Sequence, residues 1–142
     1  MIEIVLREGT AMPIQMTPGA AGYDLCAAEG VAIPAGCIAS VPTGVRLSIG
    51  DPRVVGLVFA RSGLAKYGIS LANGVGVIDS DYQGEIQVLL MNGTGSPNRI
   101  TQGSRIAQLV FMPVLPDVRF VLVPQFSIAT KRGDGGFGST GV

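Results

Sequence analysis

There is no histidine anywhere in the 142 residues, and only two of the ten basic residues are lysines, Lys66 and Lys131. Without imidazole, a general base has to come from aspartate, glutamate, lysine, tyrosine or cysteine. Cys26 and Cys37 have no metal-ligand spacing, and no histidine exists to complete a zinc site with them. They read as free thiols of a reducing cytosol. Charge is scarce too: charged residues make up 14% of the chain, against the usual quarter or so. Ten acids balance ten bases, which leaves no electrostatic footprint for polymeric nucleic acid or for a membrane surface. No apolar run approaches the roughly 18 residues of a membrane span. The N-terminus Met1-Ile-Glu-Ile-Val-Leu-Arg7 alternates like a strand and lacks the charge pattern of a signal peptide, so the expected location is the cytoplasm. There is no Gly-Lys-Ser/Thr, which excludes a strand-to-helix phosphate loop of that kind.

What the chain does hold is apolar and turn-rich. Apolar residues make up 47%, so a small domain of this size must hide apolar surface, and an oligomer interface is the simplest way. The length predicts one domain spanning 1–142, with an arm from about 124 to 142. Twenty-one glycines and nine prolines punctuate the chain about every eight to twelve residues. Short β-branched runs lie between them: Val31–Ile33, Ile38–Val41, Val45–Ile49, Val54–Phe59, Ile69–Leu71, Val75–Ile78, Ile86–Met91, Arg105–Phe111 and Val118–Val123. That pattern predicts an all-β, jelly-roll-like barrel. Asn92-Gly93 and Gly95–Asn98 read as a turn region. Ser62–Gly68 alone reads as helical, one or two turns with Ser62 as N-cap and Gly68 as terminator. A helix start with Arg61 and the Ser62 hydroxyl beside it is a candidate phosphate site; a capped connector is the alternative.

Two segments carry candidate chemistry. Half of the ten residues Arg132–Gly141 are glycine. Glycines let backbone N–H groups crowd an anion, Arg132 supplies a fork for phosphate oxygens, and Ser139 and Thr140 add hydroxyl donors. Phe137 offers a face for a base. Such a flexible Gly-rich arm suits a nucleotide; a disordered chain end is the alternative. The tripeptide Arg132-Gly-Asp134 also matches a cell-adhesion signal, which is taken as coincidence here. The second segment, Asp79–Glu85, is the densest acidic cluster. Asp81 reads as the residue of a hairpin turn closed by Gly84, whereas Asp79 ends an apolar strand and is aimed by it.

Five segments, in order, resemble the five motifs of the trimeric dUTPase family: Ala21–Ala27, Arg61–Ala65, Gly76–Glu85, Gly103–Phe111 and Arg132–Gly141. Small departures are Ala60, where many relatives have proline, and Tyr67, where many have histidine. The resemblance implies a jelly-roll homotrimer with active sites shared between subunits. It implies hydrolysis of dUTP to dUMP and pyrophosphate with Mg²⁺ carried by the triphosphate, which limits uracil incorporation into DNA and supplies dUMP for thymidylate synthesis. It implies that Asp79 activates water, that Asp24 touches the metal through water, and that Arg61, Ser62 and Gly63 bind phosphate. Asn73 with the backbone of Val75, Val77 and Ile78 would form a hairpin slot for uracil, with Gln87 helping through its backbone. Tyr82 would lie under the deoxyribose, and Gln108 would bridge toward the phosphates. Arg105 would make a structural ion pair. Arg132, Gly138, Ser139 and Thr140 would hold the outer phosphates while Phe137 stacks on uracil. A dCTP deaminase of the same fold, or a non-catalytic jelly-roll trimer, are the alternatives; Glu85 fits the third motif rather than a deaminase site.

Overall fold

The computed structural model describes residues 1–136. Ten strands and one helical turn follow one another as β1 (Glu3–Leu6), β2 (Tyr23–Cys26), β3 (Val31–Ile33), β4 (Ile38–Ser48), β5 (Val54–Phe59), α1 (Ser62–Ala65), β6 (Ile69–Leu71), β7 (Gly76–Ile78), β8 (Glu85–Asn92), β9 (Asn98–Ile100) and β10 (Arg105–Pro113). They form two four-stranded sheets, ordered β1-β4-β8-β6 and β2-β10-β5-β7, and a small ribbon of β3 and β9. All pairings are antiparallel.

Period-two alternation sets which side chains go inside. Along β8, Ile86, Val88, Leu90 and Asn92 are buried while Gln87, Leu89 and Met91 face out. The inward residues of both large sheets and of the ribbon join in one cluster, with Leu25, Val41, Val58, Ile86 and Leu109 among its members. Asn92 and Thr43 are the buried polar residues, and in Asn92 the bonding explains the burial. Its Nδ2 donates to the carbonyls of Ile33 (3.0 Å) and Ser96 (2.8 Å), and its Oδ1 accepts from Thr94 N (3.1 Å) and Oγ1 (2.7 Å). The turn read at Asn92 therefore starts one residue later, and Asn98 opens β9 instead of closing the turn.

The fold is all-β and jelly-roll-like, with its sheets not closed into a barrel. The chain passes from β6 to β7 and from β7 to β8 by switching sheets, so β6 bonds only β8 and β7 only β5. Corners replace the continuous pairing that closure needs. The same switch corrects one reading. The 79–84 segment is a corner between sheets and not a hairpin turn, because β7 and β8 do not pair.

The two runs read on either side of Pro42-Thr43-Gly44 are one strand of 11 residues, β4. A bulge carries it across the interruption, visible as the register shift between Pro42 and Arg46 against β8. Gly44 takes φ +69°, a value that glycine adopts without steric cost. Its amide donates to Glu85 Oε1 at 2.6 Å, and Thr43 Oγ1 donates to Ile86 O at 2.7 Å. The strand expected over Val118–Val123 is absent: residues 114–136 hold no helix or strand. Phe120, Leu122 and Phe126 are fully exposed. A β-branched run becomes a strand only when it pairs, and this one pairs with none of the open edges of its own chain. The arm thus leaves the strands at Pro113, earlier than expected, and Phe137, Gly138, Ser139 and Thr140 lie outside the described residues.

Alanine at 44 meets two obstacles, a left-handed backbone and the Thr10 side chain, whose Cβ would lie 3.0 Å from the new methyl. Gly44→Ala is expected to cost about 1–3 kcal/mol for the backbone alone. Chemical denaturation should show a lower midpoint; an unchanged midpoint refutes the bulge argument.

Candidate active site

The geometry is organised around Asp24. Its strand, β2, pairs with β10 so that Gln108 lies opposite Asp24 and Arg105 opposite Cys26. Strand β5 flanks the other side of β10 and ends at Phe59, which delivers Arg61 to the same place. Asp24 Oδ1 accepts from Arg61 Nε at 2.9 Å, and its Oδ2 accepts from Arg61 Nη2 at 3.3 Å and Arg105 Nη1 at 3.2 Å. The carboxylate is 11% exposed and the Arg61 side chain 24%, so much of this attraction is shielded from water. Arg61 Nη1 also reaches Arg105 O at 3.4 Å. Two guanidinium groups share one carboxylate, which leaves an excess of positive charge.

A cleft of about 420 Å³ opens over this group, lined by Gly22, Asp24, Arg61, Ser62, Gly63, Arg105 and Gln108. Gln108 Nε2 donates to Ala60 O at 3.0 Å, which ties β10 to the entry of α1. Its place depends on Gly22: a Cβ there would sit 2.8 Å from Gln108 Oε1. The helix differs from expectation. Arg61, with φ −99° and ψ 134°, is the N-cap, and no side chain caps the turn. Ser62 is its first helical residue. Leu64 and Ala65 amides both bond Arg61 O, so the amides of Ser62 and Gly63 precede the turn's own hydrogen bonds, and both residues line the cleft.

The pairing of Arg105 with Asp24 agrees with its structural reading, but Arg105 also lines the cleft. Met16 and Ala20 line it too, and nothing in their residue types marks them. Gly22 had a signal in its place beside Tyr23-Asp24.

A second group lies around the edge strand β7. Asn73, Val75, Val77, Asp79 and Tyr82 are exposed there, while Ile78 is buried. Strand β7 is the outermost of its sheet, so alternate residues turn backbone donors and acceptors to an open edge. Asn73 Nδ2 lies close over Gly76, 3.7 Å from where a Cβ would be. The Val75 amide is already used, donating to Asn73 O at 2.8 Å. Asp79 O accepts from Tyr82 N at 3.1 Å, and Tyr82 Oη donates to Glu85 O at 3.0 Å. Arg46 of β4, unmarked by any motif, steadies this corner by donating from Nε to Gln83 O at 2.8 Å. The Gln87 side chain lies on the outer face of β8, where its Oε1 accepts from Ser40 Oγ at 3.0 Å. Asp79 is not among the residues lining the Asp24 cleft. Arg132 is exposed in the arm, its Nε donating to Gly135 O at 3.0 Å.

Among the described residues no three His, Cys, Asp or Glu side chains gather as a metal cage. Asp24 still fits a hydrated magnesium ion. A carboxylate has about four acceptor sites, three are taken by the arginines, and one remains for a metal-bound water. Magnesium keeps several waters and leans on substrate phosphates, so one such carboxylate suffices.

The dUTPase family model matches residues 8–141. The chain belongs to the dUTPase family. It is 52% identical over 134 residues to the deoxyuridine 5'-triphosphate nucleotidohydrolase of Desulfitobacterium hafniense, covering 92% of this chain and 87% of that one. The enzyme of the same name from Pseudomonas entomophila is 46% identical over 140 residues, covering 95% and 91%. Among solved structures, the Staphylococcus bacteriophage 80alpha dUTPase with dUPNHPP superposes with a TM-score of 0.91 at 27% identity, over 100% of this chain and 99% of that one. The five dUTPase motifs thus sit in a chain that carries the family's fold.

Asp24 also affects Cys26. The Cys26 thiol pKa is raised from its ordinary 9.0 by partial burial and then by the Asp24 charge, with Arg105 and Arg61 opposing. Asp24→Asn removes one raising influence and leaves both opposing ones, so the Cys26 pKa should fall. Its alkylation by iodoacetamide near pH 8 should speed up, and the rate should reach its plateau at lower pH than in the parent protein. Slower alkylation, or an unshifted profile, contradicts the charge arrangement.

Proposed function

We propose that this chain hydrolyses dUTP to dUMP and pyrophosphate in the cytoplasm, as a homotrimer with Mg²⁺ as cofactor. The observation that carries this reading is the cleft in which two arginines share Asp24. Its excess positive charge, the amides of Ser62 and Gly63 and the amide of Gln108 suit a polyphosphate. Asp24 would hold the metal through water, and the ion, bound with the triphosphate, supplies charge neutralisation on the phosphates.

Asp79 is the base. Its carboxylate takes a proton from a water whose oxygen attacks the α-phosphorus in line, as the bond to the bridging oxygen breaks and pyrophosphate leaves. Asn73 and the main chain of Val75, Val77 and Ile78, at and beside the edge strand β7, recognise uracil. They match its O4 acceptor and N3–H donor, and cytosine reverses both, leaving buried partners unpaired. Gln87 contributes through its backbone. Tyr82 packs under the deoxyribose and excludes a 2′-hydroxyl. Arg132, Phe137, Gly138, Ser139 and Thr140 close over the nucleotide as the arm folds down.

A trimer accounts for three features of the isolated chain. The Asp79 corner and the Asp24 cleft are separate groups, which suits a site completed between subunits. Ile38, Leu89 and Met91 form an exposed apolar band on the outer face of β4 and β8. The arm from Val114 onward exposes a series of large apolar side chains that a neighbouring subunit would cover. Sedimentation equilibrium at micromolar concentration is expected to give three chains per particle; an active monomer rejects the shared site.

The activity test is incubation with each dNTP and UTP plus Mg²⁺, followed by product analysis. Monophosphate and pyrophosphate should come from dUTP alone; deamination of dCTP, or no turnover, overturns the reading. Asp79→Asn keeps the shape but cannot take a proton. Its kcat for dUTP should fall by about 10²–10⁴ with nucleotide binding retained, and near-normal turnover assigns the base elsewhere.

A further inference from the structure

We propose that Gly84, which contacts no substrate in the reading above, sets the sugar specificity of the enzyme by seating the Tyr82 ring. This rests on Tyr82 being the residue that excludes the 2′-hydroxyl. The outer end of the Tyr82 ring folds back over residue 84. A Cβ there would lie 2.6 Å from Cζ and 2.9 Å from Cε2 of Tyr82, and nearer still to its hydroxyl oxygen. Carbon atoms in contact sit about 3.5–4.0 Å apart, so the ring occupies space that only an absent side chain leaves open. Gly84 is not among the glycines with positive φ. Its backbone would accept alanine, and the obstacle is the ring itself.

The ring cannot be accommodated by a shift of the loop under it. Tyr82 N donates to Asp79 O and Tyr82 Oη to Glu85 O, while Arg46 holds Gln83 O and the Gly50 amide donates to Ser80 O at 3.1 Å. The corner is tied to β4 and to the chain that follows it, whereas Tyr82 is 43% exposed and has open solvent on its far side. A methyl group at 84 therefore displaces the ring outward by about 1 Å, a distance that matters for steric discrimination. It also breaks the bond from Oη to Glu85 O. Gly84 is a positioning residue: it acts on the substrate only through Tyr82.

The test is a double-mutant cycle on the full-length enzyme with Gly84→Ala, Tyr82→Ala and both together. The readouts are kcat/KM for dUTP and for UTP, and the thermal midpoint. Gly84→Ala is expected to lower the preference for dUTP over UTP by about tenfold. In the Tyr82→Ala background the same change should move neither the preference nor the midpoint, because the ring it would displace is gone. If Tyr82→Ala relaxes the preference and Gly84→Ala leaves it at the parent value, the seating role of Gly84 is overturned and the reading of Tyr82 stands. If Tyr82→Ala leaves the preference unchanged, the reading of Tyr82 falls and the proposal with it. An equal effect of Gly84→Ala in both backgrounds assigns it to the backbone and also overturns the proposal. Should Gly84→Ala alone fail to fold, recovery of folding in the double variant supports the seating contact, and failure of both refutes it.

Discussion

A carboxylate that is nearly buried needs its charge answered, and Asp24 is answered twice. One of its partners, Arg61, arrives from the segment after β5 and the other, Arg105, from the start of β10. The ion pairs therefore join three lengths of chain at one end of a sheet. Burying a charge pair is expensive unless hydrogen bonds satisfy it, and here three guanidinium contacts do so. What remains after one carboxylate is shared by two cations is a positively charged, partly dry surface at the entry of α1. The cleft proposed to take phosphate is that remainder. Stability of the sheet end and the proposed affinity for an anion would be two consequences of one arrangement.

The second constraint is geometric. A sheet that turns its corners by switching partners leaves edges, and edges carry unpaired backbone groups. Most of these are a liability. On β7 the open edge lies beside Asn73 and runs directly into Asp79, so the groups a base would need are presented by main chain that the sheet holds rigid. The price is that the corner 79–84 has no ladder of its own. It is fastened by individual bonds from Arg46, Gly50 and Tyr82. Each is modest at an exposed site, and together they orient Asp79 and the Tyr82 ring.

The exposed apolar surface of the chain has a common cause as well. Charged residues are too few to cover the outer faces of β4 and β8 or the arm beyond Pro113. Apolar surface of this extent marks a face for another chain to cover. The proposed trimer would supply that cover and would bring the arm of one subunit within reach of another's site.

Much was legible from residues alone. Alternation and turn residues placed most of the strands, because side-chain period and glycine or proline punctuation are local properties. The motifs singled out Asp24, Arg61, Asp79 and Tyr82 for the same reason: each sits in a short string of distinctive residue types. Pairing was not local. That Pro42-Thr43-Gly44 is a bulge inside one strand depends on Glu85 and Ile86 bonding it from β8. That Val118–Val123 is no strand depends on its pairing with none of the open edges of its own chain. Neither Gly22 nor Gly84 announces the side chain it makes room for, since a missing Cβ has meaning only once a neighbour is seen in its place. Residue order determined the secondary structure and the chemical inventory of this protein. Tertiary structure decided which strands pair, which charges meet and where space is left, because those depend on atoms far apart in the chain.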